Sequence, residues 1–259
     1  MAAQLVLGSA NELSGSLGAG SNYVALGPVG QVYGAAPPAF NHSQKVHSFD
    51  QAYDLDAADT NRPTLNVAAT NVVTDATSSG IGVDSIGVQA TSDAATANFL
   101  LTDYPKFALG VLGLSVSATL VHSESDASYV FGPDRCFLGG TASFGSLVIG
   151  GGLIGKTLTF SGTAAANTIL YHSPTVTITL DKQVLSDFLP PGAIQPGGPM
   201  LPASGASAAN GTVPIIAPNQ ITTDAIDIHL NHAPAFGLAL SGDITLGVTS
   251  ASLFPPLHA

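Results

Sequence analysis

The chain has 259 residues, with six Lys or Arg against 17 Asp or Glu and a net charge of −11. So acidic a balance excludes nucleic acid and anionic membrane surfaces as partners, because no basic stripe exists to displace their counterions. With 45% apolar and only 9% charged residues, the chain can bury a large core, but its surface must be built from Ser, Thr, Asn, Gly and Ala. That composition predicts an extracellular or polymeric setting.

Every acid except Glu12 and Glu124 is Asp, which suits turns and strand ends better than helix interiors, so helix is expected to be scarce. No apolar run reaches about 18 residues, the length a transmembrane helix needs. The first residues, Met1 to Gly8, carry no basic n-region, and the chain is read as exported with its leader absent. Among them Ala2, Gln4, Leu5, Val6 and Leu7 form a candidate self-association strand, able to complete the sheet of a neighbouring copy.

Residues 34–63 read as a long loop holding Pro37, Pro38 and most of the local charge. Within it Asp54, Asp56, Asp59 and Asn61 are candidate calcium ligands, since Ca²⁺ takes roughly six to eight hard oxygens from a flexible loop. The spacing lacks the Gly and bidentate Glu of an EF-hand loop, and a solvated acidic turn explains it too. No other cofactor is expected.

From Leu65 to Val73 and from Leu114 to Leu120, apolar and polar residues alternate with the period of a half-buried strand. Beyond Leu120, the residues His122, Glu124 and Asp126 share one face of a straight strand. They could hold a metal or a carboxylate pair, although a strand running into solvent accounts for them more simply. Cys136 is the only cysteine, so no intrachain disulfide exists. It reads as a small buried residue, with a reactive thiol or intermolecular pairing as alternatives.

Gly139-Gly140 and Gly150-Gly151-Gly152 are read as turns that cut the middle of the chain into a meander. Ser143 to Ile149 and Lys156 to Ser161 are expected to be the two arms of a hairpin, with Leu158 and Phe160 on its apolar side. Thr175 to Leu180 and Ala225 to Leu230 are further strands. Only Asp181 to Leu189, with Val184, Leu185 and Phe188 at helical spacing, reads as a short helix. Residues 190–220 contain seven prolines, five glycines and no charge, the composition of a long excursion.

His229 and His232 are expected on opposite faces of a strand unless a turn intervenes. From Phe236 to Val248 the apolar residues keep one parity, so Gly242 lies either inside one long strand or in a hairpin turn. No nucleophile elbow, P-loop or dinucleotide fingerprint is present, and the chain is not expected to be an enzyme.

A series of segments carries a resemblance: Leu13-Ser-Gly-Ser-Leu17, Val29 to Pro38, Leu114 to Ser123, Gly145 to Gly150, Thr175 to Leu180, and Ile226 to Leu230 followed by a Gly-containing strand. Together they resemble the choice-of-anchor P group of exported bacterial surface proteins. The resemblance implies surface exposure and supplies no catalytic residues.

The reading is therefore a single all-β domain over 1–259: an antiparallel, jelly-roll-like β-sandwich with two long Pro/Gly-rich loops and at most one short helix. Its expected role is that of a secreted or cell-surface structural or interaction protein. It is expected to self-assemble into a homo-oligomer, fibre or surface layer by strand pairing. The alternatives are a module for polysaccharide or another surface ligand and, behind it, a glycoside hydrolase using Glu124 and Asp126.

Overall fold

Alternating Val, Ile, Leu and Ala against Thr, Ser and Asn gives each segment one apolar and one polar face, so the segments pair laterally and then stack by their apolar faces. The computed structural model describes residues 5–19, 22–36, 38–55, 63–80, 85–103, 112–130, 135–186, 219–235 and 238–254, which hold strands and no helix.

One sheet has six strands, β4 (Asn41–Asp54), β5 (Pro63–Ser79), β6 (Ser85–Asp103), β7 (Leu112–Val130), β8 (Arg135–Gly150) and β9 (Leu158–Thr163), in chain order. The other has the order β10 (Thr168–His172), β11 (Val176–Ser186), β12 (Gln220–Ala235), β13 (Leu238–Phe254), β1 (Leu5–Ala19) and β2 (Asn22–Val29), with β3 (Val32–Ala36) also paired to β1. Their apolar faces pack together, giving the expected antiparallel β-sandwich. The chain changes sheets only from β3 to β4 and from β9 to β10, and within each stretch most successive strands are neighbours, so the connections are those of meanders and not of a jelly roll.

Most long strands change sides once. On β7 the buried residues are Leu114, Val116 and Ala118, then Val121, Ala127 and Tyr129; on β5 they are Leu65, Val67 and Ala69, then Val72 and Ala76. The switch on each strand comes where the ladder skips a pair. In the six-stranded sheet the skipped positions include His47, Asn71, Ala95, Leu120 and Gly145, each opposite the next, and two of the ladders skip one further pair beside them. In the other sheet they are Asp181, Ala225, Gly247 and Glu12.

Alternate strands along these two lines carry a left-handed residue: Asn71 at φ 49°, Leu120 at 48°, Asp181 at 49° and Gly247 at 61°. A left-handed residue costs about 1–2 kcal/mol unless it is Gly. Each buried aliphatic side chain contributes about 1.5–3 kcal/mol, and every half-strand holds several, so turning the strand over wins. Leu120, 67% exposed, lies across Gly145 on the outer face.

The lines divide the interior into a large apolar core, around Phe99, Leu101, Leu147 and Ile178, and a smaller one around Val6, Ile86, Tyr129 and Leu253. Between them runs a belt of buried polar groups that joins the sheets. The Thr74 hydroxyl donates to the Gly30 carbonyl at 2.5 Å, and Ser92 donates to Glu12 Oε2 at 2.8 Å. The Ser125 hydroxyl lies 2.9 Å from those of both Thr223 and Thr249, and the Gln183 amide donates to the Gly140 carbonyl at 2.7 Å. Hydrogen bonds of this kind add about 1 kcal/mol each but leave a costly unpaired group if the sheets slide, so the belt fixes sheet register.

Glu12 is fully buried here, and its Oε1 has no hydrogen-bond partner among the described residues. Burial pushes its carboxyl up to about 8, against the lowering effect of Ser92. At neutral pH it is held as the neutral acid.

Several expectations are corrected. Asp181 to Ser186 belongs to β11 and not to a helix; the turn-over at Asp181 interrupts period two and leaves Val184 and Leu185, both exposed, looking helically spaced. Gly139-Gly140 lies inside β8, where Gly140 gives room to Thr223 and Gln183 from the facing sheet. Residues 34–63, expected to be a loop, contain the 14-residue strand β4. The Gly150 turn and the hairpin are as expected, with Leu147 opposite Phe160 and Ile149 opposite Leu158. Gly242 lies within β13. Of residues 190–220, all but Asn219 and Gln220 lie outside the described residues.

Two outcomes are expected. Gly247→Ala places a Cβ 2.9 Å from Ala225 Cβ at a left-handed position, and urea unfolding is expected to show a loss of about 1–2 kcal/mol or more; an unchanged midpoint would contradict the turn-over. Glu12 has a folded pKa above its ordinary 4.5, so its contribution is complete below that value and is lost as pH rises toward 8. Melting temperature is expected to fall from about pH 5 to pH 8, and Glu12→Gln to flatten that fall, by an amount on the order of a few kcal/mol at the upper end.

Candidate functional site

The turn-over at Leu120 puts Ser123 and Ser125 inside and sends His122, Glu124 and Asp126 to the outer face of the six-stranded sheet. They share a face as the spacing predicts. His122 Nδ1 lies 2.8 Å from Asp93 Oδ1 on β6, and its Nε2 lies 3.6 Å from Glu124 Oε2. The Gln89 amide donates to Glu124 Oε1 at 3.0 Å.

The hydrogen bond to Asp93 holds the His122 imidazole above its ordinary value despite partial burial. Burial, then the hydrogen bond with Glu124, pushes Asp126 up to about 7, while that same hydrogen bond holds Glu124 low. The two carboxyls thus retain one proton between them through mildly acidic pH. Opposite Asp126 on β8 stands Gly139, beside which a Cβ would meet nothing, so this end of the row is open to solvent.

On the outer face of the other sheet, Lys182 Nζ lies 2.9 Å from the buried Asp227 carboxylate. Burial, with the nearby Asp227 charge, pushes Asp224 up to about 6. Further along, His229 Nδ1 is 2.6 Å from Asp243 Oδ1, and both line a depression with Ser16, Tyr23, Asn231 and His232. His229 and His232 reach the same depression because β12 has an irregularity between Leu230 and Ala233, with His232 left-handed at φ 49°. This is the intervening turn the sequence left open. Among the described residues no group of three or more His, Cys, Asp or Glu side chains is placed to hold a metal ion.

Of the candidate calcium ligands, Asp54 is exposed at the end of β4, while Asp56, Asp59 and Asn61 lie outside the described residues. Of the candidate self-association strand, Ala2 and Gln4 lie outside them as well. Leu5, Val6 and Leu7 are inside the sheet: they pair with Phe254, Leu253 and Ser252 of β13, and Val6 and Leu7 also with Ala36 and Ala35 of β3. Both backbone edges of Val6 and Leu7 are occupied and Val6 is buried, so these two residues offer no free edge to a neighbouring copy.

The free edge lies elsewhere. β4 pairs with β5 along its whole length, Asn41 to Asp54, and ends the six-stranded sheet. Its side chains are exposed or at most half-buried, with Val46, Phe49 and Tyr53 leaning on the large core. The other terminal strands are shorter: β10 and β3 have five residues, β9 six and β2 eight. Short edges resist pairing with other chains, and a long one invites it. Sequence reasoning missed β4 because only Val46, Phe49 and Tyr53 lean inward, on either side of the change of facing at His47, which leaves no period-two pattern.

No protein-family model matches this chain, and neither do the curated proteins or the solved structures.

The proton shared on β7 gives a direct test. Carboxyl NMR titration is expected to place Asp126 near pH 7 and, in Glu124→Gln, to move it toward the ordinary carboxylate range. A wild-type midpoint near ~4 would contradict the pairing.

Proposed function

We propose that this chain is a secreted or cell-surface structural protein that works by associating with copies of itself through strand pairing. The observation that carries this reading is β4, a 14-residue strand bonded to the sheet on one side only among the described residues. Its second edge offers a row of backbone donors and acceptors that water or another strand must satisfy.

A surface poor in Lys and rich in Thr, Ser and Ala supports the same reading, since few lysines guard the sheet edges against pairing, although the net charge of −11 on each copy works against close approach at low salt. So does the resemblance of the strand segments to the choice-of-anchor P surface proteins, which favours an exported location. The His and acid groups on both outer faces are bonded to one another on open sheet surfaces. They give less support to a hydrolase than the edge gives to association.

Sedimentation velocity from micromolar to millimolar protein is the test. Average mass is expected to rise with concentration, and a monomer throughout would overturn the reading.

A further inference from the structure

We infer that the self-association proposed above is a two-fold dimer in which the β4 edges of two copies pair antiparallel, Lys45 of each opposite Asp50 of the other. The inference rests on that proposal and adds its partner, its edge and its register.

The faces of β4 come first. Val46, Phe49 and Tyr53 pack against the large core, and the skipped pair at His47 and Asn71 lies between the first and the other two. Even residues therefore face inward before His47 and odd residues after it. Antiparallel partners point to the same side of a sheet. A two-fold pairing of this strand keeps inward residues opposite inward ones only if each even position before His47 meets an odd position after it.

Among the registers that satisfy this, one places Val46 opposite Phe49 and Gln44 opposite Gln51, with the axis between His47 and Ser48. It also puts Lys45 opposite Asp50, both on the outer face. A shift by two residues in either direction sets Lys45 against Ala52 or Ser48 and leaves both charges unmatched. Parallel in-register pairing sets Lys45 against Lys45, which is repulsive.

The charges are available. Lys45 and Asp50 are both exposed, and neither has an ion-pair partner among the described residues. An edge lysine on a lone strand opposes indiscriminate pairing; in this register it is matched, so it selects one partner strand. The pairing is isologous and closes on itself, joining two six-stranded sheets into one continuous sheet and stopping at the dimer. It differs in that respect from a fibre or layer.

Sedimentation of the whole chain tests this with Lys45→Asp, Asp50→Lys and the double exchange. Each single variant is expected to weaken dimerisation roughly tenfold or more, and the double exchange to restore it nearly to wild type. Unchanged circular dichroism and melting of the monomer show that the variants fold. Carbodiimide treatment of mixed light and ¹⁵N-labelled protein is expected to yield a mixed-isotope peptide joining Lys45 to Asp50. Association indifferent to all three variants, or dimers without that peptide, would overturn this register while self-association stands. A monomer at every concentration would overturn both.

Discussion

Two apolar stripes of opposite parity on one strand can face the same partner sheet only if the backbone turns over once between them. Residues 114–118 and 121–129 of β7 are such a pair of stripes, and the neighbouring strands repeat the arrangement at the same height. A turn-over on one strand alone would break the ladder beside it. Each therefore sits opposite another, and the line runs across both sheets. Small or left-handed-tolerant residues occupy several of these positions, including Gly145, Gly247 and Asn71.

From that line follows the polar belt. Where strands turn over, side chains cannot interdigitate as tightly, and Ser, Thr and a neutral Glu12 fill the boundary between the two cores with hydrogen bonds from one sheet to the other. The cores supply most of the stabilisation because they hold the large side chains. The belt supplies the alignment, since sliding either sheet strands buried hydroxyls and a carboxyl. The same turn-over sends His122, Glu124 and Asp126 outward, and it gives β4 the change of facing that makes a two-fold pairing with its own copy compatible with a common inner face.

Much of this architecture was legible in the residues. Leu114 to Leu120, Leu65 to Val73 and the hairpin around Gly150 showed themselves by period two and by glycine, and the shared face of His122, Glu124 and Asp126 followed from strand geometry alone. The turn-overs were hidden because alternation reads locally, and a single residue out of step resembles noise or, at Asp181, a helical turn. Gly140 looked like punctuation because its packing role depends on Thr223 and Gln183, distant in sequence. β4 was illegible for the opposite reason: with little to bury, its composition is that of a loop. The pairing of Leu5 to Leu7 was hidden because its partner, β13, comes from the other end of the chain.

The fold stands on the turn-over, and side-chain accessibility along one strand measures it directly. Each residue from Leu114 to Tyr129 is replaced in turn by Cys in a Cys136→Ser background and its rate of thiol modification recorded. Protection is expected at even positions up to Ala118 and at odd positions from Val121 onward, with Leu120 reactive. Protection that keeps one parity from end to end would contradict it.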